Sequence, residues 1–321
     1  MRTAFVHTVT DLASHDRRIT LITGDLGFGV MEGFARAYPH QFLNIGVAEQ
    51  NMTSVAAGMA LAGRVVFTYS IGNFPTLRCL EQIRNDACYH MADVKVVSVG
   101  GGFAYGALGM SHHATEDLAI MRALPNMVVV APADPLETAA AVRAVAARPG
   151  PCYLRLGRAG EHTVHGDGLR FELGKAITVR DGGDVTLIST GAMLERAIRV
   201  AERLDAEGVH ARVLSMHTLK PLDTDAVVAA ARHTGAIVTL EEHSAIGGLG
   251  SAVAEALLDG PVRRVRLRRV ALASRFASTV GGPEYLRDTL GLSESAIAEA
   301  VRSLLAERAG EMSGWNGASG S

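Results

Sequence analysis

The sequence predicts an α/β protein of two doubly wound domains, and three observations carry that prediction. Short β-rich apolar runs alternate with longer helical stretches. The alternation lapses once, in a polar, glycine-containing segment over 157–168, and then resumes. The chain of 321 residues is also about twice the usual length of one domain. Strands separated by helices of this length imply right-handed βαβ units and mainly parallel sheets covered on both faces. The division that follows is a first domain over 1–160, a linker over 161–172, a second domain over 173–308 and a flexible tail over 309–321.

In the first domain, 19–23 reads as a buried strand ended by Gly24, and the alanine- and methionine-rich 48–62 as a helix. A strand follows over 65–69 and a helix over 77–91. The strand over 94–99 runs into Gly100-Gly101-Gly102. A strand over 128–130, a helix over 135–147 with Pro135 in its first turn, and a strand over 152–156 complete the series. In the second domain, strands over 185–189, 209–214, 237–240 and the basic 262–269 alternate with helices over 192–207, 223–232 and 249–258. Gly208 ends the first of these helices, and Ser293 caps a last one running to about 308. The residues from Ser313 onward are small and polar and read as flexible.

Composition removes several functions. Hydrophobic residues make up 48% and charged ones 20%, which gives an ample core. A net charge of −2 leaves no electrostatic footprint for nucleic acid or an anionic membrane. No apolar run reaches the ~18 residues of a membrane span, and the N-terminus lacks an apolar stretch with a cleavage site. Cys79, Cys88 and Cys152 are too few and scattered for a disulfide scaffold, so a cytoplasmic protein is expected. No G-x-G-x-x-G, Walker loop or nucleophile elbow occurs, and His112-His113 lacks a third ligand at metal spacing. What remains is α/β chemistry on a cofactor recognised by other means.

Three stretches carry a resemblance: Asn44-Ile45-Gly46-Val47-Ala48-Glu49-Gln50-Asn51, Tyr69-Ser70-Ile71-Gly72-Asn73-Phe74 continuing through Arg78 to Asp86, and Gly109-Met110-Ser111-His112-His113 continuing through Glu116-Asp117 to Asn126. Together they resemble the pyrimidine-binding domain of transketolase and 1-deoxyxylulose-5-phosphate synthase, which are thiamine diphosphate enzymes. The second half is similar to the transketolase C-terminal domain through Ser189-Thr190-Gly191, Leu219-Lys220-Pro221-Leu222-Asp223 and Glu241-Glu242-His243 followed by Gly247-Gly248. The family holds magnesium (or calcium) and diphosphate through Gly-Asp-Gly and a later asparagine, on a separate domain. Here Gly-Asp-Gly occurs only as Gly166-Asp167-Gly168 in the linker, and no asparagine lies between Met127 and Glu311. The resemblance therefore implies half of a split transketolase, completed by a diphosphate-binding partner chain in an α2β2 heterotetramer, with no metal ligands of its own.

The resemblance also assigns residues. Glu49 matches the glutamate that hydrogen-bonds the aminopyrimidine and activates the cofactor; an apolar pocket should raise its pKa and keep it protonated. Phe74 matches the aromatic that stacks on the pyrimidine, with Tyr69 and Ile71 on the same wall and Asp25 near the thiazolium. His112 matches the histidine that touches the substrate oxygen near the reacting carbon, with His113 beside it. Arg2, Arg155 and Arg158 lie where the family places phosphate-binding arginines. Leu108 stands where transketolases carry an acid that reads donor hydroxyls, which implies a deoxy or otherwise modified sugar. A decarboxylating relative, making a deoxyxylulose-type product or an acyloin, is the alternative reading; a non-catalytic regulatory subunit and a plain sugar-binding module are others. The run Arg263 to Arg269 reads as an exposed or interface face.

Overall fold

A computed structural model describes residues 1–166, 168–262 and 265–316. Asp167 of the linker motif, Arg263 and Arg264 of the basic run, and residues 317–321 lie outside the described residues. The first half runs α1 (Arg2–His15), β1 (Ile19–Thr23), α2 (Glu32–Ala37), β2 (Phe42–Asn44), α3 (Glu49–Leu61), β3 (Val65–Ile71), α4 (Leu80–Gln82), β4 (Val94–Val99), α5 (Asp117–Ala123), β5 (Val128–Val130), α6 (Pro135–Ala147) and β6 (Cys152–Leu156). The second runs β7 (Ile177–Arg180), β8 (Val185–Ser189), α7 (Met193–Asp205), β9 (Ala211–Ser215), β10 (Thr218–Lys220), α8 (Thr224–Thr234), β11 (Ala236–Ser244), α9 (Leu249–Asp259), β12 (Arg266–Leu272), α10 (Pro283–Thr289) and α11 (Glu294–Asn316).

The first sheet has seven strands in the order β10-β5-β6-β4-β3-β1-β2. Only β10 is antiparallel, and it comes from beyond the linker, so the second half of the chain supplies an edge of the first sheet. The second sheet has five strands, β12-β11-β8-β9-β7, parallel except for β7. The two halves also share a core. Met52, Ile83, Leu118 and Met121 of the first join Ile188, Met216, Leu249 and Val253 of the second in one buried apolar cluster. Among the described residues no helix is long and apolar enough to cross a membrane.

Most expected elements are present, with a few differences. The N-terminal segment forms α1, which buries Phe5, Val6, Val9 and Ala13 on one face. The helix expected over 77–91 is instead a 3-10 turn Leu77–Cys79, the single turn α4 and a π-helical segment Ile83–Cys88. Of the segment expected as a tail over 309–321, the described part belongs to α11, which runs to Asn316.

The linker is fastened by buried polar groups. Asp134 caps α6 through the Glu137 N–H at 2.8 Å, and its other oxygen accepts the backbone N–H groups of Val164 and His165, both at 2.9 Å. Glu137 accepts from Ser215 Oγ of β9 at 2.7 Å, and burial pushes its carboxyl up to about 7. His217 is fully buried under Phe171, ring centroids 4.1 Å apart, and burial followed by the nearby His165 pulls its imidazole down to about 4. Between its ordinary 6.5 and that value the unfolded chain binds the proton more tightly, so this group costs stability as pH falls through the window. His217→Phe should remove that slope, by on the order of 3 kcal/mol at its acid end. Chemical unfolding of both proteins from pH 7 to 4 checks this; parallel acid limbs would refute it.

Candidate functional site

The site forms at the carboxyl ends of β1, β3 and β4, the edge at which open α/β sheets place their chemistry. Strand pleating decides which residues reach it. Ser70 points toward α3, and its Oγ donates to Glu49 Oε1 at 3.3 Å. Tyr69, one residue earlier, points to the opposite face and stacks on Phe5 with centroids 5.7 Å apart. Tyr69 is thus a core residue whose phenol burial pushes upward, and Ile71 packs against the same core. Their expected place on the cofactor wall is corrected by this alternation.

Glu49 is the first residue of α3 and is 1% exposed. Its Oε2 accepts from Arg78 Nη1 at 2.7 Å. Arg78 in turn lies over the Phe74 ring, 4.7 Å from its centroid, and Phe74 meets His112 edge-on at 5.2 Å. Glu49, Arg78, Phe74 and His112 therefore form one continuous chain of contacts. The expectation of a carboxyl in apolar surroundings is corrected, because an arginine and a serine contact it directly. Arg78 is the functional candidate that sequence reasoning missed; its place four residues after Phe74, within the quoted motif, was the available signal.

Asp25 adopts a left-handed φ of 59°, and its carboxylate accepts from Asn44 Nδ2 at 2.9 Å. Asn44 Oδ1 accepts the N–H groups of Asp25 and Gly46, both at 3.0 Å, so this pair shapes the loop entering α3. His112 is half-buried, and burial followed by the neighbouring His113 lowers its pKa, favouring the neutral imidazole. His113 is buried, with Nε2 3.1 Å from the Gly106 carbonyl oxygen and its ring against the edge of Phe103. It faces a cleft of ≈ 720 Å³ between the two halves, which Asn73, Glu116, Ser244, Arg275 and Phe276 also line. Neither Glu49 nor His112 lines that cleft.

The arginines separate into two kinds. Arg155 is buried: its Nε donates to Asp117 at 2.8 Å, and its Nη2 to the carbonyls of Ala114 at 2.7 Å and Glu242 at 3.0 Å. It is committed to internal partners, which corrects the phosphate-binding role expected for it. Arg158 is exposed and lies over Tyr105 at 5.1 Å, and the Tyr105 ring is 6.4 Å from His112. Arg2 is partly buried, with Nε lacking a hydrogen-bond partner, and it bears electrostatically on Tyr69 together with Tyr105. Leu108 is exposed in the turn between Tyr105 and His112, with Met110 beside it in sequence. Among the described residues, no group of three or more His, Cys, Asp and Glu side chains is placed to hold a metal ion.

The arrangement accepts a flat, nitrogen-rich ring. Arg78 presents a planar N–H donor that stacks on Phe74 while bonding Glu49, and an aminopyrimidine makes the same pair of contacts. Beside that position stand a neutral imidazole and an exposed guanidinium.

The family model of the transketolase pyrimidine binding domain matches residues 1–160, and that of the transketolase C-terminal domain matches residues 174–297. The chain is 41% identical over 263 residues to a subunit of an apulose-4-phosphate transketolase from Phocaeicola vulgatus, covering 81% of this chain and 84% of that one. It is 38% identical to a 6-deoxy-6-sulfo-D-fructose transketolase subunit from Clostridium sp., covering 94% and 93%. Among solved structures, a split gene transketolase in the form of an inactive beta4 tetramer aligns with a TM-score of 0.85 at 39% identity, over 95% of this chain and 97% of that one.

Proposed function

The chain belongs to the transketolase family, and from that premise we propose that it is the pyrimidine-binding and C-terminal half of a split, thiamine diphosphate-dependent transketolase. In this reading it moves a two-carbon ketol unit from a phosphorylated or otherwise modified ketose to an aldehyde. The observation that carries it is the contact chain from Glu49 through Arg78 and Phe74 to His112.

When bound, thiamine diphosphate would supply the nucleophilic carbon and the electron sink for breaking the bond between the carbonyl carbon and its neighbour. Glu49 would hold and return a proton at Oε2, the oxygen that accepts from Arg78 in this structure, toward a pyrimidine nitrogen of the bound group. Phe74, over which the Arg78 guanidinium lies, would pack on the ring face. His112, neutral because it is partly desolvated, donates to or takes a proton from the substrate oxygen. Arg158 and Arg2 are the arginines left to meet a substrate anion.

The diphosphate and its magnesium belong to a second chain. Phe28 and Val47, 75% and 74% exposed, flank the loops that enter the site, and apolar side chains so placed suit a surface that a partner covers. Two of each chain in a heterotetramer is the expected assembly. Leu108 supports a donor lacking a hydroxyl that ordinary transketolases read, since leucine offers no acceptor. Relatives named for apulose 4-phosphate and a sulfonated deoxyfructose agree with an unusual sugar. A donor panel in the reconstituted complex tests this. Modified or deoxy ketoses should exceed xylulose 5-phosphate in kcat/KM by about tenfold or more, without release of carbon dioxide from pyruvate. Xylulose 5-phosphate as the best donor would refute the specificity, and pyruvate decarboxylation would refute the reaction class.

A further inference from the structure

We propose that Glu242 and Arg287, both in the second domain, are positioning residues for His112: they fix the loop over 100–114 that carries it. This rests on the transketolase reading for its kinetic consequence, while its structural consequence stands alone.

Glu242, near the end of β11, is 3% exposed. Its Oε1 accepts the backbone N–H of Phe103 at 3.1 Å and Arg287 Nε at 2.8 Å, and its Oε2 accepts Arg287 Nη2 at 3.0 Å. A buried carboxylate gripped by an arginine fork is thus spent on one backbone amide of a loop in the other domain. The loop is cut to receive it. Gly102 has a φ of +63°, and a Cβ there would fall 2.4 Å from the Glu242 carboxyl carbon. A Cβ on Gly106 would fall 2.4 Å from Leu286 Cδ1, next to Arg287 on α10.

From this anchor the contacts lead to the imidazole. Gly102 and Ala114 exchange both backbone hydrogen bonds, at 2.8 and 3.0 Å, which closes the loop at its base. Phe103 meets His113 edge-on at 5.0 Å, and His113 Nε2 lies 3.1 Å from the Gly106 oxygen. Asn73, next to Phe74, donates to the His113 carbonyl at 2.9 Å. His112 is thus set between a backbone held by the second domain and the ring of Phe74. The second domain reaches the candidate chemistry through this loop.

Glu242→Gln in the full chain separates the possibilities through two readouts. The first is NMR titration of the His112 imidazole, assigned by its loss in His112→Ala. In the wild type it should titrate below the ordinary value, and in Glu242→Gln it should move back up as the loop loosens and water enters. The second is steady-state kinetics of the reconstituted complex. Here kcat should fall on the order of 10–100-fold with donor KM changed less than about threefold. In a His112→Ala background the same change should cost little, because Glu242 acts through His112. An unmoved His112 titration, or an equal kcat loss in both backgrounds, overturns the proposal. If Glu242→Gln fails to fold, Arg287→Lys keeps the charge but loses the fork, and the same two readouts apply. A complex without transfer activity would refute the proposed function, and the titration would still decide the positioning.

Discussion

Glu49→Gln should abolish two-carbon transfer in the reconstituted complex, lowering kcat by about 10²–10⁴-fold while leaving the fold intact. The amide keeps the size of the carboxyl, its one oxygen can still accept from Arg78 while its NH2 donates to a turned Ser70 hydroxyl, but it cannot take up and return a proton. Stability should fall by about 1 kcal/mol or less, because the Arg78 partner is 45% exposed and water replaces what it loses. Rate and thermal unfolding measured on the same preparation separate chemistry from folding. A variant within a few-fold of wild-type turnover would remove Glu49 from the mechanism.

Arg155→Ala should instead damage the fold. It strips Asp117 of its ion pair and takes the guanidinium donor from the Ala114 and Glu242 carbonyls, of which Ala114 keeps the Gly102 N–H, at the seam between the two halves. Breaking one side of such a pair costs about 3–5 kcal/mol, since the remaining charge stays buried. Tyr153 still donates to Asp117 and offsets part of that. Urea unfolding checks the loss. A loss below about 1 kcal/mol accompanied by a raised KM for phosphorylated donors would restore Arg155 to the substrate.

These two outcomes mark where the sequence is legible. The interior strands β1, β4, β5, β6 and β8 are short, mostly apolar runs buried at every position, and their bounds were readable to the residue. The short strands β2, β7 and β10 were not. β2 and β7 lie at sheet edges, and β10 exists only because it pairs with β5, some ninety residues earlier in the chain. Glu49, Phe74 and His112 were singled out through their motifs, and Arg78 links them in one line of contacts.

Arg155 and Arg158 look alike in sequence, three residues apart. One is sealed in an ion pair with Asp117 and the other lies on the surface over Tyr105. Nothing in Tyr153-Leu154-Arg155-Leu156 distinguishes a buried guanidinium from a binding one. The misplacement of Tyr69 differs, because the two-residue pleat that sends Ser70 to Glu49 must send Tyr69 away from it. Gly100-Gly101-Gly102 also acquires a reason that composition did not reveal. A Cβ at each would collide with Tyr105, Arg155 and Glu242 in turn, so the run is room for close approach.

The central claim is that this chain is half of an active site. It is tested most directly by assaying two-carbon transfer with thiamine diphosphate and magnesium, for the chain alone and after mixing with a chain carrying Gly-Asp-Gly and its distal asparagine. The account predicts no transfer from this chain alone, and transfer that saturates at one partner chain per copy. Transfer by this chain without the partner, or none with it under conditions where the two demonstrably bind, would contradict the account.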